Sequence, residues 1–225
     1  MTLDRLDLLA LDVDGALTEA HDGLTRAGFI VTAGAAGAAV VAGARPDDAE
    51  AAIPASDQDV LNYALVLEYL QAAFYTEAER AKALTGRTAK AARVVGAVER
   101  AHVKAFRDLL GRKAVGRPHF DFQGVTESND PFLKTAVAFE DLAVAAYKGQ
   151  ARRIRSRAVL TSALGIHTVE ARHAAWMRYL NGNTPASAAF DLPKQRKEIN
   201  AIVASTRFIT AAPQSTSERT PRYTG

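Results

Sequence analysis

The sequence contains no cysteine, and this absence excludes several classes of site at once. Disulfides, thiolate zinc sites, iron–sulfur clusters and cysteine nucleophiles all require the thiol. Any metal must therefore bind to glutamate, aspartate or histidine. Aromatic residues are also scarce, at 7% of the 225 residues, and alanine leads the apolar ones. Such a composition favours helices, because strands are rich in Val, Ile, Thr and aromatic residues.

A dense run of positive charge is missing too, and the formal net charge is only +3. We therefore expect no nucleic-acid partner. The charge is unevenly spread: residues 1–44 hold six acids and two bases, whereas residues 45–225 hold 26 Lys and Arg against 19 Asp and Glu. This contrast predicts that the two parts are separate units.

Residues 27–44 carry no charge and consist mostly of Ala and Gly. A membrane-spanning helix needs about 20 strongly apolar residues, so we expect no stable span once a signal is removed. The run is typical of an export signal ending in a small-residue triplet at 42–44. Residues 25–31 resemble the twin-arginine export motif, with Ala27 in place of the second arginine. We predict a leader over 1–44 and export to the periplasm, cell wall or medium, or a cytoplasmic location if the signal does not function.

Beyond a linker over 45–55, apolar residues recur at steps of three and four, as in amphipathic helices. Ser56 can cap the first helix with Asp59 returning the bond, and Gly86 can stop it. Asp130 and Pro131 mark another helix start. The predicted helices span about 56–85, 88–110, 130–149 and 156–180, with a short helix from near Pro193 and a loose tail inside 183–225.

The connections between these helices predict the fold. A few residues join the first two helices and about seven join the last two, so each pair should form an antiparallel hairpin. About 19 residues lie between the pairs, long enough to run from one end of a bundle to the other. We therefore predict an all-α, ferritin-like four-helix bundle over 56–182, with its long crossover between helices two and three.

Each predicted helix carries a candidate metal ligand. One glutamate lies mid-helix in the first and third helices, and the second and fourth each carry Glu-x-x-His. Because positions i and i+3 share a helix face, each Glu-x-x-His pair can bind one metal from one side. Four carboxylates balance two divalent cations, whereas four buried carboxylates alone would repel one another. The predicted ligands are Glu68, Glu99, His102, Glu140, Glu170 and His173.

The spacing of these residues indicates an internal duplication. Glu68 and Glu140 are 72 residues apart, and both members of the Glu-x-x-His motif repeat after 71. Tyr75 and Tyr147 each follow a glutamate by seven residues, two turns along the same face. Such a phenol can hydrogen-bond a carboxylate in another helix and orient it, or simply pack in the core. The chain is predicted to contain two copies of one helical hairpin, each contributing half a site.

The order Glu, Glu-x-x-His, Glu, Glu-x-x-His resembles that of bacterioferritin and rubrerythrin in the ferritin-like superfamily. In finer detail, HTVEARHAAWMRYL, the Phe190–Pro193 segment and the leader resemble exported bacterial ferritin-like proteins related to desiccation-associated proteins. The resemblance implies that the six residues above are metal ligands. One departure is that Val98 and Val169 stand where bacterioferritin-like sites often have Asp, so the imidazoles need another partner for their second nitrogen. His167, one turn before Glu170, is a candidate to support the site, or an ordinary surface or core histidine.

These observations predict a protein that binds two iron ions, or manganese as the alternative. It would bind and oxidise ferrous iron or reduce oxygen or peroxide, as a ferroxidase-like or a peroxidase- or catalase-like oxidoreductase. The alternative is a stress- or desiccation-protective structural protein whose metal site is vestigial or only stabilising. The sequence leaves the oligomeric state open, including a homo-oligomer.

Overall fold

In the computed structural model, residues 53–211 are described, so the predicted leader and the end of the tail lie outside the described residues. Five α-helices, a single 3-10 turn and a two-stranded antiparallel ribbon make up this range. None of the helices in this range is long and apolar enough to cross a membrane. The elements are α1 (Ala55–Ala81), α2 (Gly86–Leu110), the turn Gly111–Lys113, β1 (His119–Phe120), α3 (Asn129–Ala151), α4 (Arg157–Leu180), α5 (Arg196–Thr206) and β2 (Ile209–Ala211).

The first four helices form the predicted bundle of two antiparallel hairpins. In the first hairpin, Gly96 of α2 lies against Tyr75 of α1. Near the other end of α1, Asn62 accepts a hydrogen bond from the backbone N–H of Val115, which follows α2. The all-α fold class with a long crossover and a short C-terminal helix is confirmed.

The crossover 111–128 follows α1 from one end to the other. Asn62 Nδ2 donates to the carbonyl of Lys113 at 3.0 Å, and further along Thr126 Oγ1 donates to Glu77 at 2.8 Å. Phe122 anchors the crossover in the core, where its ring packs edge-on against Phe74 at 5.5 Å between centroids. This path returns the chain to the far end of the bundle, so that α3 can pair with α1.

The C-terminal segment packs on the α1 and α3 side of the bundle. The N–H of Lys194 donates to the carbonyl of Ala145 at 3.1 Å. Gly149 is required there, since a Cβ at this position would lie 2.0 Å from the Lys194 carbonyl oxygen. Arg196 pairs with Asp59 at 2.9 Å, and β2 then pairs with β1 in the crossover.

Several helix ends differ from the sequence-based expectation. The cap predicted at Ser56 is wrong: α1 begins at Ala55 after Pro54, and no side chain caps it. The stop predicted at Gly86 is also wrong, because α1 already ends at Ala81 and Gly86, with a φ of 57°, opens α2. The start of α3 lies at Asn129, and no side-chain cap forms there.

The core consists of two apolar clusters. The larger one surrounds the stacked rings of Phe74 and Phe132, which lie 4.9 Å apart between centroids. The smaller one lies around Leu65 and Phe106. Tyr75 belongs to the first cluster and Tyr147 to the second.

Candidate metal centre

All six predicted ligands converge in the middle of the bundle. Helices α1 and α3 supply one glutamate each, and helices α2 and α4 supply one Glu-x-x-His pair each. All four carboxylates are fully buried, whereas His102 keeps 9% and His173 7% of its surface exposed. Burying four carboxylates without compensating charge is strongly unfavourable, so this arrangement needs an explanation beyond packing.

Within residues 53–211, two groups of four side chains are close enough to hold one metal ion each, with all ligand atoms of a group within 4.8 Å of one another. Glu68 and His102 belong only to the first group, and Glu140 and His173 only to the second. Each hairpin therefore supplies the terminal pair of one group, as expected from the internal duplication.

Glu99 and Glu170 belong to both groups. The sequence predicts that each Glu-x-x-His pair binds a single metal, but the structure places both glutamates between the two groups. Oε2 of Glu99 lies 3.6 Å from Nδ1 of His102, and Oε1 lies 2.9 Å from Nδ1 of His173. The two oxygens of one carboxylate thus face different imidazoles, as in a bridging ligand.

Glu170 repeats this arrangement from the opposite hairpin. Oε1 of Glu170 lies 3.1 Å from Nδ1 of His102, and Oε2 lies 3.9 Å from Nδ1 of His173. The terminal carboxylates each approach one imidazole: Oε2 of Glu68 is 3.3 Å from His102, and Oε2 of Glu140 is 3.6 Å from His173. The centre therefore has approximate two-fold symmetry.

Eight buried atoms of this centre have no hydrogen-bond partner. These atoms lie close to one another, but not at the angles that a hydrogen bond requires. This is unusual, because buried polar atoms nearly always have a hydrogen-bond partner. The eight atoms divide into four for each group, which is a donor set of three oxygens and one nitrogen for each of two ions. They are Oε2 of Glu68, both carboxylate oxygens of Glu99, Nδ1 of His102, Oε2 of Glu140, both carboxylate oxygens of Glu170 and Nδ1 of His173.

The remaining oxygen of each terminal glutamate is bound by a tyrosine of the opposite hairpin. Tyr75 donates to Oε1 of Glu140, and Tyr147 donates to Oε1 of Glu68. Both phenols are buried. Because each terminal carboxylate has one oxygen bound by a phenol, only its Oε2 is free to face the centre.

Burial and mutual repulsion shift the acidities of the centre. Desolvation raises the pKa of Glu68 and of Glu140 to about 8, against the opposing effect of the nearby imidazoles. For His173, burial lowers the pKa, but the surrounding carboxylates prevail and raise it to about 12. Desolvation also opposes ionisation of Glu170, but the proximity and positive charge of both imidazoles hold its pKa below the usual range.

Burial and the neighbouring carboxylates also shift the pKa values of the two phenols. Burial, together with the adjacent Glu140, raises the pKa of Tyr75 well above its usual value, and burial with Glu68 does so for Tyr147. Both tyrosines therefore keep their protons and act as hydrogen-bond donors.

The structure does not bring His167 into either group. This residue is half-buried on α4, and its Nδ1 has no hydrogen-bond partner among residues 53–211. Burial lowers its pKa, while Asp191 and Lys148 oppose one another. Because Val98 and Val169 are apolar, the preceding helical turn offers no carboxylate to Nε2 of His102 or of His173. No other residue in the described range forms a hydrogen bond with either Nε2 atom.

Gly96, one turn before Glu99, was not among the predicted site residues. A Cβ at this position would lie 2.8 Å from Cβ of Tyr75 and 2.5 Å from Oε1 of Glu79. Only glycine lets α2 approach α1 closely enough for Tyr75 to keep its place over the centre. The signal was available in the sequence as a lone glycine inside a helical pattern, which usually has a packing reason.

Comparison with known proteins agrees with this architecture. A search of curated proteins found no match. The family model described as the ferritin-like domain matches residues 56–183, which is more than half of the chain and contains all six residues of the centre. The chain belongs to the ferritin-like domain family.

Proposed function

We propose that this protein holds two iron or manganese ions in the centre and uses them for redox chemistry, either oxidising ferrous iron or reducing oxygen or peroxide. The observation that carries the proposal is the set of eight orphaned buried atoms, divided four and four. Carboxylate oxygen with one imidazole nitrogen per ion is a donor set suited to both metals.

Charge balance supports two ions rather than one. Four ionised glutamates carry a charge of about −4, which two divalent cations neutralise. A single ion would leave two carboxylates uncompensated in a site where water is excluded. Glu99 and Glu170 each direct one oxygen at either group, so the same residues would hold both ions.

The chain's own residues fix the geometry for such ions. Tyr75 and Tyr147 hold the terminal carboxylates in one orientation through their hydrogen bonds. The buried rings and aliphatic side chains of the two core clusters exclude water. When bound, a pair of redox-active ions supplies two electrons to one oxidant.

Metal stoichiometry provides the test. The full chain, freed of metal and titrated anaerobically with ferrous iron or Mn²⁺, should bind two equivalents. Because Glu99 belongs to both groups, Glu99→Ala should abolish binding of both ions. His102→Ala should mainly weaken binding of the ion in the group that contains His102. His119→Ala is the matched control, because this exposed histidine of β1 lies outside the centre.

Aerobic addition of ferrous iron then tests the chemistry. Oxidation faster than in buffer, abolished by Glu99→Ala and kept by His119→Ala, supports the redox function. Two tightly bound ions without any oxidation or peroxide consumption would instead favour the structural alternative, in which the metals only stabilise the bundle. A chain that binds no metal under either condition contradicts the redox function and leaves only a protective protein with a vestigial site.

A further inference from the structure

Gln71 on α1 is a buried polar residue to which the metal centre gives no partner. Only 2% of its surface is exposed. Its amide nitrogen Nε2 is buried and has no hydrogen-bond partner among residues 53–211. Burying such a donor is costly, because it has given up its hydrogen bonds to water. The amide nitrogen is a donor only, so a metal ion would not satisfy it.

The register of α1 places Gln71 on the face that points to the centre. Glu68, three residues before it, directs Oε2 towards Nδ1 of His102 at 3.3 Å. Tyr75, four residues after it, donates to Oε1 of Glu140. Residues three and four apart share one face of a helix, with Cβ atoms about 5–6 Å apart. Gln71 therefore lies between two side chains of this face that both reach the centre.

The second hairpin shows that burial at this position does not require a polar side chain. The 72-residue spacing of Glu68 and Glu140 places Ala143 at the position equivalent to Gln71. Ala143 is equally buried, with 2% of its surface exposed. The six ligand positions and the two tyrosines follow the two-fold symmetry of the centre, whereas this position breaks it. One side of the centre therefore has an amide where the other side has a methyl group.

The remaining polar groups of the centre offer no hydrogen bond to a small molecule that binds there. Both tyrosine hydroxyls already donate to the terminal carboxylates. Ionised carboxylates only accept hydrogen bonds, and the Nδ1 atoms of the two histidines belong to the two metal-binding groups. Nε2 of Gln71 is thus a donor that remains available on this face.

We infer, on the basis of the proposed function, that Nε2 of Gln71 donates a hydrogen bond to the oxidant, which is dioxygen or peroxide and binds on the Gln71 side of the centre. Both molecules are uncharged and carry oxygen atoms that accept hydrogen bonds. These atoms gain negative charge as the oxidant takes up electrons, and a fixed donor stabilises charge that develops beside it. Gln71 therefore binds the oxidant, whereas the six ligand residues bind the metals.

Nitric oxide is a suitable probe, because it is an uncharged diatomic molecule that accepts hydrogen bonds and changes the visible absorption of ferrous iron when it binds. The iron-loaded full chain is titrated with nitric oxide in the absence of oxygen. Gln71→Leu removes the donor at similar volume, so the dissociation constant for nitric oxide should rise about 2- to 10-fold. The N–O stretching frequency should shift as well, since it responds to a hydrogen bond on the bound molecule. The variant should still bind two equivalents of iron with unchanged affinity.

Gln150→Leu is the matched control, because it also removes a buried amide, at 4% exposure, from a position ten residues beyond Glu140 on α3. It should change neither the affinity for nitric oxide nor the N–O frequency. Unchanged values in Gln71→Leu overturn the inference. A loss of iron affinity in Gln71→Leu also overturns it, because the amide would then orient a metal ligand instead of the oxidant. Two equivalents of iron without nitric oxide binding refute this inference alone, whereas no iron binding refutes the proposed redox function as well.

Discussion

Tyr75 of α1 donates a hydrogen bond to Oε1 of Glu140 on α3, so a residue of one hairpin orients the terminal carboxylate of the other. Tyr147 and Glu68 repeat the relationship in the reverse direction. The two halves of the centre are therefore interdependent, since each hairpin provides a terminal carboxylate and the phenol that orients its counterpart.

Removing one phenol should weaken one half of the centre. Tyr75→Phe leaves Oε1 of Glu140 buried without a donor, at a cost of about 1–3 kcal/mol in the free energy of unfolding of the metal-free chain. The affinity for the ion beside His173 should fall about 10- to 100-fold, as is usual when a partner of a metal ligand is lost. Calorimetric titration should resolve one weak and one nearly normal site. Tyr179→Phe, at a 58% exposed phenol, is the control and should change neither quantity.

Two helical glycines should respond oppositely to alanine. At Gly96 the new Cβ would meet Tyr75 at 2.8 Å, so Gly96→Ala should destabilise the chain by about 1–3 kcal/mol through overpacking. At Gly165 the Cβ would meet nothing within 4 Å, and Gly165→Ala should stabilise α4 by about 0.5–1 kcal/mol. Urea denaturation of the two variants measures both effects. Equal shifts of the same sign would show that α1 and α2 are not in close contact at Gly96.

The convergence of the six predicted ligand residues was predictable from the sequence, because helical periodicity is regular over short distances and the hairpin repeats after 71 to 72 residues. Sequence spacing also predicted that Tyr75 and Tyr147 lie on the same face as the glutamates that they follow. The bridging positions of Glu99 and Glu170 were not predictable, since they depend on how four helices pack around one point.

Helix ends were less predictable for a related reason. Ser56 and Asp59 fit a capping box by residue type, but tertiary contacts use them differently. Ser56 donates to Asp57 at 3.0 Å, and Asp59 pairs with Arg196, 137 residues along the chain. The duplication also differs in detail, because the position that repeats Gly96 after 71 residues is His167.

Asp57 should stabilise the chain in a pH-dependent way. Its buried carboxylate accepts hydrogen bonds from the backbone N–H groups of Arg155 and Ser156, joining α1 to the connection between α3 and α4. Burial raises its pKa, but these bonds prevail and lower it below the usual 3.8. Its contribution is therefore present above pH 3.8 and lost as the pH falls through the lowered value.

The substitution Asp57→Ala should cost about 1–3 kcal/mol at neutral pH, because two buried N–H groups lose their acceptor. The difference from the unsubstituted chain should shrink below about pH 4, where the carboxylate becomes protonated. Urea denaturation at several pH values measures it. Asp130→Ala removes an exposed carboxylate and should cost no more than about 0.5 kcal/mol; a cost at Asp57 that does not change with pH would contradict the assignment.

Metal removal should destabilise the protein more at pH 8 than at pH 6. In the metal-free chain, the pKa values of Glu68 and Glu140 lie at about 8, above the usual 4.5. The raised values favour folding fully below pH 4.5, and this contribution is lost as the pH rises to 8; the raised pKa of His173 acts in the same direction. Bound metal reverses the dependence, because its ligands must be deprotonated and its affinity rises with pH. The drop in unfolding temperature on chelation should therefore be larger at pH 8 than at pH 6. In the metal-free chain, the double variant Glu68→Gln with Glu140→Gln should reduce the dependence of the unfolding temperature on pH. The control Glu127→Gln, at an exposed site, should leave this dependence unchanged. An equal drop at both pH values would contradict this prediction, because it would mean that metal binding does not displace protons from these carboxylates.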